Sequence, residues 1–138
     1  MPLVGPSVLG PAKKDAMSAP IGPYSPIVSV GPWLICSGQL GLAPSEGTPP
    51  ALVDGGVIPQ LRQALANAAA LLDGAGAELG AVAKTTVFLT SMADYPAVNE
   101  AYAEFFGPHR PARSVVAVAG LPMGALVEVE VWAYRGDA

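Results

Sequence analysis

The chain has 138 residues, 51% of them hydrophobic and only 13% charged, with a net charge of −4. That length suits one domain with a real core. The seven Lys and Arg are scattered and form no run, so no electrostatic track for nucleic acid is offered. The single Cys36 excludes an intrachain disulfide, and with His109 as the one histidine a Cys/His metal cage is excluded too.

A charged fraction this far below the usual ~25% implies either a membrane protein or one that hides much of its surface. Residues 16–45 carry no charge, which is long enough to span a bilayer. Yet Pro20, Pro23, Pro26, Pro32 and Pro44 interrupt them, and an unbroken spanning helix could not form. Lys13 and Lys14 follow the first apolar residues, which is not the order of a signal peptide. The low charge therefore predicts an oligomer that buries apolar surface between subunits. A reducing, cytoplasmic setting is the natural expectation for one free thiol.

Residues 1–18 read as a Pro-rich, flexible tail, with Met1 and Met17 both eligible as starts, and residues 19–136 as a single domain. Residues 24–30 and 33–39 read as short strands joined at Gly31-Pro32. Residues 41–57 form a long Pro/Gly loop of the kind that often serves function or an interface. Ile58, Leu61, Leu65, Ala68 and Leu72 then make one apolar helical stripe, with Pro59 in its first turn and Gly74 and Gly76 beyond its end. Residues 82–90 are rich in β-branched side chains and predict a strand. Asp94 is the expected cap of a second helix that buries Val98, Ala101, Tyr102, Phe105 and Phe106 and stops at Gly107-Pro108. Residues 113–119 and 126–134 predict two closing strands. The order β-β-α-β-α-β-β implies an α+β fold, one mixed sheet with both helices on one face.

Strand side chains alternate between faces. In the last strand Val127, Val129 and Val131 share the face that must meet the helices, and Leu126, Glu128, Glu130 and Trp132 share the other. If Val116 and Val118 of the preceding strand also face the helices, Arg113, Val115, Ala117 and Ala119 join Glu128 on the opposite face. An apolar face of that extent predicts an interface. An Arg fork binds a carboxylate through two parallel hydrogen bonds, and a partly buried Glu serves as acid or base near neutral pH. Plainer readings stand beside these. Arg113 could pair with a surface acid, and Glu128 and Glu130 could belong to a solvated strand face. Cys36 reads as a small buried hydrophobe, His109 as a solvent-exposed loop residue, Trp33 and Trp132 as core or interface. Ser37-Gly38 by itself reads as a strand end and turn.

The segments Ile21-Gly-Pro-Tyr24-Ser-Pro26, Ser37-Gly-Gln39, Lys84-Thr-Thr-Val-Phe88, Val98-Asn99, Tyr102, Phe105-Phe106, Pro111-Ala-Arg113-Ser114 and Val127-Glu-Val-Glu130 resemble the Rid family of small enamine/imine deaminases. This family is also called YjgF and was formerly labelled endoribonuclease L-PSP. The resemblance runs over residues 19–135, in family order. It implies a chorismate-mutase-like fold and a homotrimer with three sites at subunit interfaces, needing neither metal nor cofactor. It implies that Arg113 clamps a substrate carboxylate and that Glu128 activates or orients water. Tyr24, Ser37, Gly38 and Asn99 would line the pocket, Tyr102 would add to its wall, and the backbone of Val115 would hold the water or the imine nitrogen. The implied reaction is hydrolysis of reactive 2-imino acids, such as 2-aminoacrylate or 2-iminopropanoate, to 2-oxo acids and ammonia.

The chain departs from the family in four places. Val115 stands where many members have Cys, the 41–57 loop is longer than in compact members, the turn at 120–124 lacks a basic residue, and the N-terminal extension has no counterpart. These leave the substrate side chain open. The alternatives are a non-catalytic binding module for a small carboxylate and a deaminase of a larger, aminomuconate-type substrate. The ribonuclease activity attached to some members sits poorly with the acidic balance.

Overall fold

The computed structural model describes residues 7–8, 22–44 and 49–136. The expected flexibility of residues 1–18 and the choice between Met1 and Met17 fall outside that range, except for a short strand β1 (Ser7–Val8). It is followed by β2 (Ile27–Val30), β3 (Trp33–Leu40), β4 (Leu42–Ala43) and β5 (Ala51–Leu52). Then come α1 (Val57–Gly74), β6 (Val82–Leu89), α2 (Tyr95–Phe106), β7 (Ala112–Ala117) and β8 (Val127–Tyr134). One six-stranded sheet runs β1-β2-β3-β8-β6-β7. It is mixed: β6 and β7 are parallel, and the other pairs are antiparallel. The α+β class and the predicted element order hold. The 41–57 loop is not irregular throughout, because β4 and β5 fold into a small antiparallel ribbon.

Alternation makes the core. Val127, Val129, Val131 and Ala133 of β8 are all buried, as are Val87 and Leu89 of β6 and Leu34 and Cys36 of β3. They meet Leu61, Leu65, Ala68 and Leu72 of α1 and Val98, Ala101, Tyr102 and Phe106 of α2 in one cluster. Ile58 and Phe105 pack at its margin. The second helix begins differently from expectation. Asp94 makes no side-chain cap; Ser91 instead accepts from the Ala93 N–H at the preceding turn.

Two polar side chains of α1 join the helix to the sheet. Gln60 is buried, and its Oε1 accepts from the Leu126 N–H at 2.9 Å, just ahead of β8. Asn67 donates to the carbonyls of Leu40 and Leu42 at 3.1 and 2.9 Å. The helix and chain approach so closely here that a Cβ on Gly41 would lie 2.6 Å from the Gln60 Cα. We expect Gln60→Ala to lower unfolding free energy by about 1–3 kcal/mol, because the Leu126 N–H then has no partner. Chemical denaturation of the two proteins measures this.

One face assignment is reversed. β7 pairs with β6 so that Arg113 lies beside Thr85, Val115 beside Val87 and Val116 beside Phe88. Thr85 and Val87 are buried under the helices. Arg113 and Val115 therefore point to the helix side, and Val115 packs against the core. Val116 is exposed on the open side. Glu128 sits beside Phe88, so it too is on the open side, opposite to Arg113. The expectation failed because β7 carries valine on both parities and is an edge strand. Partner register, not its own pattern, decides its face. The open face is still apolar: Trp132 is exposed there as expected, and Trp33, Val116 and Tyr134 join it in place of Val115, with Trp33 packing edge-on against both Trp132 and Tyr134.

Candidate active site

A hollow of about 390 Å³ opens at the β3–β8 junction, lined by Tyr24, Ser37, Gly38, Leu40, Pro122, Glu128 and Glu130. Its shape follows from an irregularity in β3, whose pairing with β8 shifts register between Cys36 and Gln39. Ser37 and Gly38 lie in that shifted stretch. The Ser37 hydroxyl donates to the Ser25 carbonyl at 2.6 Å and its N–H to the Pro26 carbonyl at 2.8 Å. The segment bearing Tyr24 is thereby held against β3. Gly38 is there for close approach: a Cβ would stand 2.7 Å from the Glu128 Cδ and 2.9 Å from its Oε2. Only glycine lets the carboxylate lie flat on this backbone. Partial burial pushes the Glu128 carboxyl above its ordinary value, and the neighbouring Glu130 adds to the shift.

Arg113 belongs to a second constellation, at the edge of the sheet under α2. Its guanidinium lies over the Tyr102 ring at 4.9 Å and near the Tyr95 ring at 5.7 Å. Its Nη2 donates to the Tyr95 hydroxyl at 3.2 Å. Tyr102 is fixed from behind, since its hydroxyl and that of the buried Thr85 share a hydrogen bond of 2.7 Å. Asn99 falls on the same face of α2, between the two tyrosines, and its Oδ1 is buried without a hydrogen-bond partner. Among the described residues β7 is the edge of the sheet, so one side of the Val115 backbone has no strand beside it there.

The residues singled out from sequence thus fall into two groups. Tyr24, Ser37, Gly38 and Glu128 surround the hollow, and Asn99, Tyr102, Arg113 and Val115 stand at the β7–α2 edge. Sequence reasoning gave no site role to Glu130, Leu40, Pro122 or Tyr95. The alternation in β8 already put Glu130 beside Glu128, whereas nothing local marks Tyr95. His109 is half-buried rather than an open loop residue, and its Nε2 is 2.7 Å from the Val82 carbonyl, to which it donates. The Cys36 thiol is buried as expected, which pushes its pKa up to about 12 and leaves it no nucleophile at neutral pH. Among the described residues no three His, Cys, Asp or Glu gather as a metal site.

A six-stranded mixed sheet backed by two helices, with a carboxylate hollow and an arginine held at a strand edge, places polar and charged groups of the kind that hold a small carboxylic acid. The family model described as Endoribonuclease L-PSP matches residues 14–135. The chain is 46% identical over 118 residues to the 2-iminobutanoate/2-iminopropanoate deaminase of Mus musculus, covering 86% of this chain and 85% of that one. Among solved structures it resembles the Rid-family protein YyfA of Yersinia pestis, with a TM-score of 0.83, 41% identity, and 94% and 99% of the two chains covered. It also resembles TdcF of E. coli with bound serine, with a TM-score of 0.77, 38% identity, and 89% and 95% covered. The chain belongs to the Rid (YjgF) family and is an enzyme of the hydrolytic deaminase class.

Proposed function

We propose that this protein hydrolyses 2-imino acids to 2-oxo acids and ammonia, at sites built between the copies of a homotrimer. One observation carries the second half of that reading: Arg113 and Glu128 lie on opposite faces of one sheet. With β6 between their strands and three residues of offset along it, their Cα atoms stand roughly 14 Å apart. A small imino acid cannot touch both within one chain. The exposed aromatic face and the bare edge of β7 supply surfaces on which a second copy can complete the site.

In that arrangement Arg113 of one copy clamps the substrate carboxylate through its fork. The hollow of the next copy receives the imine carbon. With the imine bound as its iminium, Glu128 takes a proton from water as the oxygen attacks that carbon, giving a carbinolamine. The same carboxyl then returns the proton to nitrogen, the C–N bond breaks and ammonia leaves, and the carbinolamine hydroxyl passes its proton to the freed carboxylate as the carbonyl forms. Orientation of water and substrate supplies much of the acceleration, and acid–base help adds about 10²–10⁴-fold. The two acidic groups of the hollow also favour the protonated, more electrophilic iminium over the neutral imine. The TdcF structure with bound serine supports the size class of the ligand, and the mouse relative's name supports the reaction. The chemistry needs no cofactor and suits a cytoplasmic setting, where pyridoxal-dependent dehydration of serine or threonine releases such imines.

The experiment generates 2-aminoacrylate in situ, traps the imine with semicarbazide and follows the adduct. The wild-type protein should lower adduct formation. Separately inactive Arg113→Ala and Glu128→Ala subunits, mixed and allowed to exchange, should recover about a quarter of wild-type activity, because most random trimers then hold one intact interface site. No recovery after verified exchange would place both residues in one chain's site and end the interface model.

A further inference from the structure

Arg113 does not stand alone at the strand edge. Its side chain is long, and an unrestrained guanidinium would lose much of its freedom on gripping a carboxylate. Here that freedom is already restricted. The Tyr102 ring lies under the guanidinium at 4.9 Å, with its hydroxyl anchored on Thr85, and the Tyr95 hydroxyl accepts from Nη2 at 3.2 Å. Tyr95 opens α2, and its side chain is half-buried, so it is itself held by the packing of the helix. We infer that Tyr95 is a positioning residue for this enzyme, which fixes the Arg113 fork in the orientation that receives the substrate carboxylate.

This inference rests on Arg113 being the carboxylate clamp. The Tyr95 hydroxyl accepts one N–H on Nη2 and leaves the other donors of the fork to the ligand. The two rings set the plane of the guanidinium, and the hydroxyl sets its rotation within that plane. A residue that holds the clamp, without touching the reacting carbon, acts equally on bound substrate and transition state. Its loss therefore appears in KM and not in kcat.

The test compares wild type, Tyr95→Phe and Arg113→Ala by imine turnover and by calorimetric binding of 2-oxobutanoate. Phe keeps the ring and its packing, so folding is preserved and only the hydroxyl is lost. Tyr95→Phe should raise KM by about 5–20-fold with kcat within roughly twofold, weaken 2-oxobutanoate by a similar factor, and leave Tm unchanged. A purely structural tyrosine would instead lower Tm and the active fraction and leave KM alone. Unchanged KM and unchanged 2-oxobutanoate affinity overturn the inference, as does a wild-type protein that binds no 2-oxobutanoate. A wild type that binds 2-oxobutanoate through Arg113 yet turns over no imine ends the deaminase reading, while the affinity of Tyr95→Phe still decides the role of Tyr95.

Discussion

Arg113→Ala is expected to lower kcat/KM for imine hydrolysis by about 10²–10³-fold. The fold should survive. Arg113 is only partly buried on the edge strand, and its contacts are with two tyrosine rings and one hydroxyl, not with a buried acid. Loss of such cation–π contacts costs about 0.5–1 kcal/mol of stability. The substrate loses far more, because its carboxylate would enter a partly dry interface without a cation to meet it. Arg113→Lys should remain badly impaired, since a single ammonium cannot reproduce the two parallel bonds of the fork. Steady-state kinetics with the semicarbazide trap, beside thermal melts, checks both halves. An Arg113→Ala protein with wild-type kcat/KM would remove the clamp from the mechanism.

The second large effect is at Glu128. Glu128→Gln keeps shape and hydrogen-bonding capacity but cannot take a proton, so kcat should fall by roughly 10²–10⁴-fold while 2-oxo acid binding persists. The same substitution should stabilise the protein at neutral pH. Burial first, and Glu130 second, raise the Glu128 carboxyl above its usual range. A carboxyl raised in the folded state binds its proton more tightly there than when unfolded. Its favourable contribution is present below the unfolded pKa and is lost as pH rises through the folded one. Above that window the ionised group opposes folding, and Gln relieves it. For activity the sign is opposite: the base must be ionised, so turnover fails as pH falls through the raised value. The acid limb of the pH–rate profile should therefore lie above that of an ordinary carboxylate, and Glu130→Gln should move it to lower pH. A melting temperature for Glu128→Gln that is lower than wild type at neutral pH would contradict this account.

The binding-module alternative separates from the deaminase at this residue. A sensor of small carboxylates needs Arg113 and is indifferent to the basicity of Glu128. Gly38 leaves out even a Cβ, so the Glu128 carboxylate lies close against β3 in the hollow. Turnover and 2-oxo acid binding by Glu128→Gln decide between the two readings: loss of turnover with binding kept supports the deaminase, and wild-type turnover in the variant removes Glu128 from the chemistry, as the binding module requires.

Much of this protein is determined by the sequence alone. Period-two valines in β8 and a three-and-four stripe of leucines in α1 identify their own buried faces, because each element meets the core along one continuous side. The residues of the family resemblance, Arg113, Glu128, Tyr24 and Ser37-Gly38 among them, are legible by type and order. What only the tertiary structure decided is which of them meet. β7 carries Val115 and Val116 in succession, so its alternation favours neither face, and parallel pairing to β6 sets Arg113 beside the buried Thr85. The register shift in β3 is likewise invisible locally, because it comes from mismatch with a strand some ninety residues away. Tyr95 acquires its part only when α2 packs over the edge of β7. Local patterns report burial along one element, whereas a site depends on register between elements, and register is settled by their partners.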